Sequence, residues 1–182
     1  MRVGTKSVLF GAHQFVLHPL FVAAAWARLY GFPRDPRLWL AFALHDVGYL
    51  GKPDMDGAEG EQHVELGARI MGRLFGREWG DFCRYHSRFW AAKAGAPFSR
   101  LCVADKLSVV LMPRWLYLAL VCLSGEAKEY MGLCMDGKYV SMGVFGDDLI
   151  TWHATMVGHL ARWCKICERS SHVDAWVPGG ML

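Results

Sequence analysis

The sequence predicts an all-α fold. Three observations lead there: apolar residues recur at helical spacing along most of the chain, prolines and cap residues mark where those runs begin, and strand-like alternation is confined to KYVSMGV at 138–144. With 182 residues, 53% hydrophobic and 20% charged, the chain suits a single domain over 1–182 that buries a core without disulfides or a structural metal.

Each element has a local reason. Pro19 suits a first helical turn, so a helix begins near it and runs through FVAAAWARLY to Gly31, with His18 at its mouth. Asp35-Pro36 is a cap followed by a first-turn proline, and RLWLAFALHDV continues from it to a stop at Gly48. That places His45 and Asp46 in the last turn, where the helix's unpaired carbonyls favour a cation. GKPDMDGAEGEQ at 51–62 reads as a loop at the mouth of a site, with Asp54, Asp56, Glu59 and Glu61 as solvated acids.

HVELGARIMGRLFG is an amphipathic helix with His63 at its start. One helix is expected over 78–92, carrying His86, and another from a Ser99 cap, carrying Asp105. Beyond Pro113 come the run WLYLALVCL, the short piece EAKEYMGLC, the loop MDGKYVSMGVFG and a last helix from about Asp147 to Arg169.

Composition excludes several function classes. A net charge of +3, with Lys and Arg dispersed, argues against binding long nucleic acid. The apolar stretch from Leu107 to Gly125 is interrupted by Pro113-Arg114, so neither half reaches the ~20 apolar residues of a transmembrane helix. The six cysteines lie mostly in apolar helical segments and the N-terminus lacks a secretory pattern, which fits a cytoplasmic protein. Cys164-x-x-Cys167 near His172 reads as core packing, because a second ligand pair is missing. His13, His153, His159 and His172 read likewise as core histidines, and the Trp and Met residues from Trp115 onward as packing, with an aromatic wall that stacks a nucleobase as the alternative.

What remains is an ordered set: His18, the doublet His45-Asp46, His63, His86 and Asp105, each about one helix and a turn from the next. Antiparallel packing of such helices brings all six side chains to one place. Imidazoles and carboxylates without cysteine suit Fe, Mn, Co, Ni or Zn.

His18 before LFVAAA, the doublet in ALHDVGY, HVELGARI and CVADKL together resemble the H…HD…D signature of the HD superfamily of metal-dependent phosphohydrolases. The resemblance runs from about Gly11 to Met112 and implies an HD-domain-like helical bundle. His63 and His86 are similar to the added pair of the two-metal branch, which includes the HD-GYP cyclic-dinucleotide phosphodiesterases. Tyr49 stands where that group has a lysine, and Gly95-Ala96-Pro97 is a shifted remnant of its Gly-Tyr-Pro signature.

By this resemblance His18, His45, Asp46 and Asp105 hold one divalent transition metal, and Asp46 bridges to a second held by His63 and His86. A water activated between two metals would then attack a phosphoester of a small nucleotide, cyclic dinucleotide or related metabolite. Lys52, Arg88 and Lys106 are the nearest cations in sequence for phosphate oxygens. The same ligand set is also similar to that of HD-type di-iron oxygenases, and a non-catalytic metal sensor is a third reading. Oligomeric state, including a homo-oligomer, is left open.

Overall fold

The computed structural model describes residues 1–169 and 176–178. Among them are ten α-helices: α1 (Val3–Phe10), α2 (Leu17–Tyr30), α3 (Pro36–Leu44), α4 (Val64–Phe75), α5 (Arg77–Arg84), α6 (Arg88–Lys93), α7 (Arg100–Leu111), α8 (Arg114–Ser124), α9 (Glu126–Met135) and α10 (Leu149–Arg169). The one β feature among the described residues is an isolated parallel bridge between Ser99 and Trp176. The fold is all-α, and the strand-like 138–144 segment instead holds a 3-10 turn, Val140–Met142.

Four local outcomes differ from expectation, and each bears on the site. The short helix α1 was not anticipated; it docks through the Gly4 N–H, which donates to the Lys52 carbonyl at 3.2 Å. Helix α3 starts as expected, with Asp35 Oδ1 accepting the Arg37 N–H at 2.8 Å, but it ends at Leu44. His45 Nδ1 turns back onto the Phe42 carbonyl at 2.9 Å, and a separate 3-10 turn follows over Val47–Tyr49.

The helix expected over 78–92 is broken into α5 and α6. His86 Nδ1 takes the Cys83 carbonyl, and Ser87 restarts the helix by accepting the Trp90 N–H at 3.4 Å. Ser99 does not cap α7; its hydroxyl donates to the Phe82 carbonyl at 2.8 Å and ties the start of α7 to α5.

Three apolar cores among the described residues support these turns, the smallest of them Val8, Tyr49 and Met55. Trp26 of α2 meets Phe42 of α3 and Phe82 of α5 at ring-centroid distances of 5.5 and 6.0 Å, and both phenylalanines are fully buried. Burial contributes roughly 1.5–3 kcal/mol for each such side chain. It also fixes the ends of α3 and α5, which present His45 and His86 three and four positions later. A second core gathers Tyr117, Val121 and Trp152 from α8 and α10.

Helices α7 and α8 meet at 104° around Pro113, and no single helix among the described residues is long and apolar enough to cross a membrane. Replacing the cap, Asp35→Ala, is expected to cost about 1 kcal/mol of stability, read as a lower urea midpoint with an unchanged slope.

Candidate metal centre

The six residues singled out in the sequence converge at one buried point. His18 comes from α2, His45 and Asp46 from the turn after α3, His63 from the 3-10 turn before α4, His86 from the α5–α6 break, and Asp105 from α7. None is more than 6% exposed. Asp46 lies between two groups. Its Oδ2 is 3.2 Å from His18 Nε2 and 3.1 Å from His45 Nε2, while its Oδ1 is 3.3 Å from His86 Nε2 and 3.6 Å from His63 Nε2. Asp105 Oδ1 closes the first group at 3.2 Å from His18 Nε2 and 3.7 Å from His45 Nε2.

The donor chemistry fits a cation. His45, His63 and His86 each direct Nδ1 at a backbone carbonyl, of Phe42, Gly60 and Cys83, which assigns a proton to Nδ1 and turns Nε2 inward. Nε2 atoms then face one another across 3.2 Å (His18 and His45) and 3.1 Å (His63 and His86). Between His63 and His86 two lone pairs cannot satisfy each other, and Asp46 Oδ2 is buried with no aligned hydrogen bond despite its close imidazoles. Both groups, His18/His45/Asp46/Asp105 and Asp46/His63/His86, have ligand atoms mutually within 4.8 Å and could hold a metal ion.

The electrostatics agree. Burial alone would raise Asp46 and Asp105; the His45 charge and adjacent imidazoles hold Asp46 well below the carboxylate range, and Lys106 with its imidazole partners does the same for Asp105. Burial opposes charge on His45, but the two carboxylates outweigh it and raise it to about 10. His63 falls to about 3 through burial and the nearby His86, and burial also lowers His86. The carboxylates thus demand positive charge, while the second imidazole pair stays neutral and ligand-ready.

Two close backbone approaches fix the geometry. The Gly48 backbone lies against the His63 carbonyl, and Gly67 against the Leu44 carbonyl, so α4 and its preceding turn press onto the end of α3. Gly48 is not in the left-handed region, so its role is this contact, not the helix stop expected of it. Tyr49 stacks flat on His63, with centroids 4.0 Å apart and planes at 5°.

A cavity of about 510 Å³ opens over the cluster, with Asp46, His63, His86 and Asp105 on its floor and Arg88, Lys106 and Lys138 on its walls. Lys106 Nζ lies 2.8 Å from Asp105 Oδ2, and the Arg88 guanidinium sits 5.1 Å from the Trp163 ring centre. Lys52 does not line this cavity; its backbone holds α1. Of the acidic loop, Asp56 and Glu61 reach the cavity, whereas Asp54 accepts the Gly60 N–H.

A model described as the HD domain matches residues 16–119, more than half of the chain. The chain belongs to the HD-domain family. Members of that family are in general metal-dependent hydrolases, and the buried His/Asp cluster of this HD domain supplies donors for such a metal. No curated protein and no solved structure matches the chain.

Some cavity residues were not anticipated. His13 is a wall of the HD-domain cavity instead of a core residue; its side chain is 21% exposed. Its Nδ1 lies 3.1 Å from Glu126 Oε2 and 2.9 Å from Ser7 Oγ. Glu126 is fully buried, and its Oε1 accepts the Ala12 N–H at 3.0 Å and the Ser124 hydroxyl at 2.6 Å. An acid at a helix start reads as dipole compensation, so the pairing had no local signature. Lys138 and Tyr139 arrive from a loop that only tertiary folding places here. His153 is buried as expected, while Cys164 and Cys167 pack in the first core and join neither metal-competent group; His172 lies outside the described residues.

The His13–Glu126 pair makes stability pH-dependent. Burial opposes charge on His13, but Glu126 outweighs it and raises His13 from 6.5 to about 9. Its contribution is therefore full below pH 6.5 and lost as pH rises through about 9. Glu126 is lowered from 4.5, by His13 and its hydrogen bonds against burial, so its contribution holds above 4.5 and fades in acid. Urea midpoints of the wild type should fall between pH 6.5 and 9, and Glu126→Gln should flatten that slope.

Proposed function

We propose that this HD domain is a metal-dependent phosphohydrolase that cleaves a phosphoester in a small phosphorylated metabolite, a nucleotide included. The observation that carries the reading is Asp46, whose two oxygens face separate imidazole pairs beneath a wall of cations. His18, His45, Asp46 and Asp105 would hold one divalent transition metal, and Asp46, His63 and His86 a second. When bound, such metals lower the pKa of water toward neutrality and offset charge developing on a phosphoryl group.

The chain's own side chains do the rest. Asp46 fixes the spacing of the two groups, and the Nδ1 contacts of His45, His63 and His86 keep the rings in register. Arg88, Lys106 and Lys138 bind and orient phosphoryl oxygens, with Arg88 suited to a bidentate grip. Tyr49, stacked on His63, supplies an uncharged wall beside them. A cavity of about 510 Å³ suits a small molecule, and burial around the cluster strengthens every charge interaction in it.

The test is phosphate release from a panel of nucleotides, cyclic dinucleotides and simple phosphoesters, with Mn, Co, Ni, Fe or Zn supplied. Release that requires metal supports the reading. Iron-dependent dioxygen consumption without phosphate release would replace it with the oxygenase alternative, and metal binding without turnover of either kind with the sensor. Arg88→Ala should lower kcat/KM by about 10–100-fold, mainly through KM and with metal content unchanged, because one charge-assisted phosphate contact is worth about 1.5–3 kcal/mol.

A further inference from the structure

The metal cavity continues past its cationic wall. His13, Tyr49, Arg88, Lys106 and Tyr139 border it and also border a second chamber of about 190 Å³. Beyond that junction the lining turns apolar and aromatic, with Met112, Tyr117, Tyr130, Trp152 and Met156. The rings of Tyr130 and Trp152 are nearly parallel, at 18° and 5.6 Å, and Tyr117 leans on Trp152 at 6.4 Å. His159 also lines the chamber, and its Nε2 is buried without a hydrogen-bond partner. Tyr130, Trp152, Met156 and His159 come from beyond residue 119, where the family match ends.

Size and chemistry together limit what the chamber takes. An apolar protein cavity of ~150 Å³ stays dry and binds benzene, so this volume admits a six-membered ring. Aromatic and thioether walls favour a planar apolar group, and an orphaned imidazole nitrogen favours one polar atom on its rim. Arg88 and Lys106 at the junction would hold a phosphoryl group attached to that ring while it faces the metal-competent floor.

We propose that this chamber is the subsite for the organic group of the substrate, and that it selects a phosphoester bearing a single planar ring with a polar rim atom, read by His159. The inference rests on the phosphohydrolase reading for the placement of the phosphoryl group. Selectivity then draws on Tyr130 of α9 and on Trp152, Met156 and His159 of α10, beyond the family match, and catalysis on the part shared with the family.

Calorimetric titration of the Mn-loaded full chain with benzylphosphonate and ethylphosphonate tests it, because these compounds share a headgroup and are not hydrolysed. Benzylphosphonate should bind at least tenfold tighter. Met156→Trp, or the milder Met156→Phe, should erase that preference while leaving ethylphosphonate binding intact. A 4-hydroxybenzyl analogue should bind tighter still, and His159→Phe should remove only that increment.

Equal affinity of the two phosphonates for the wild type, or a preference that survives Met156→Trp, would overturn the chamber's role. If neither phosphonate binds, the hydrolase reading fails separately, and saturation-transfer NMR of benzyl alcohol with the metal-free chain decides the chamber. Transfer that Met156→Trp abolishes supports a ring site, and no transfer to the wild type overturns it.

Discussion

Asp46→Ala should empty both halves of the candidate metal centre and lower the proposed hydrolysis by on the order of 10³-fold or more. Its two oxygens lie within 3.6 Å of four imidazole nitrogens, so removing the carboxylate takes one donor from each group at once. His63→Ala and Asp105→Ala each touch one group and should leave the other's metal in place. The fold should persist in Asp46→Ala, because the cores around Phe42, Phe82 and Trp152 do not include this side chain. Elemental analysis beside circular dichroism checks both statements, and unchanged metal content in a folded variant would contradict the assignment.

Gly48→Ala should be nearly as severe, for a mechanical reason. A Cβ at Gly48 would overlap the His63 carbonyl oxygen and lie 2.6 Å from its carbon, and these are backbone atoms that no rotamer change can move aside. The turn carrying His63 must therefore retreat from the end of α3. A cost of about 3 kcal/mol is expected for this overpacking, which in a chain of this size lowers Tm by about 6–12 °C. The displaced His63 should also cost the Asp46/His63/His86 group its metal before the other group loses its own. Thermal melts and metal titration read the two effects, and an unaltered Tm would show that the contact relaxes freely.

The contrast between these two residues marks what the sequence made legible. Asp46 was readable because its proposed role is chemical: a carboxylate beside a histidine, with further histidines and an aspartate a helix apart, is a donor set that core packing does not call for. All six convergent residues were readable on the same ground, as was the all-α class, which follows from helical spacing and caps such as Asp35. Gly48 was read as a helix stop, since glycine after an apolar run usually is one; its actual task depends on a segment 15 residues away. Likewise the break at Tyr85–Ser87 and the wall residues His13, Lys138 and Tyr139 depend on partners that local pattern does not reveal. Lys52 illustrates the converse, a cation close in sequence whose backbone is engaged with α1 and which does not line the cavity.

Anomalous diffraction from crystals of the Mn-loaded full chain tests the central claim most directly. Two peaks are expected, one among His18, His45, Asp46 and Asp105 and one among Asp46, His63 and His86, with the Asp46 carboxylate between them. A cluster that stays free of metal while ions bind elsewhere, for instance near Cys164 and Cys167, would contradict it.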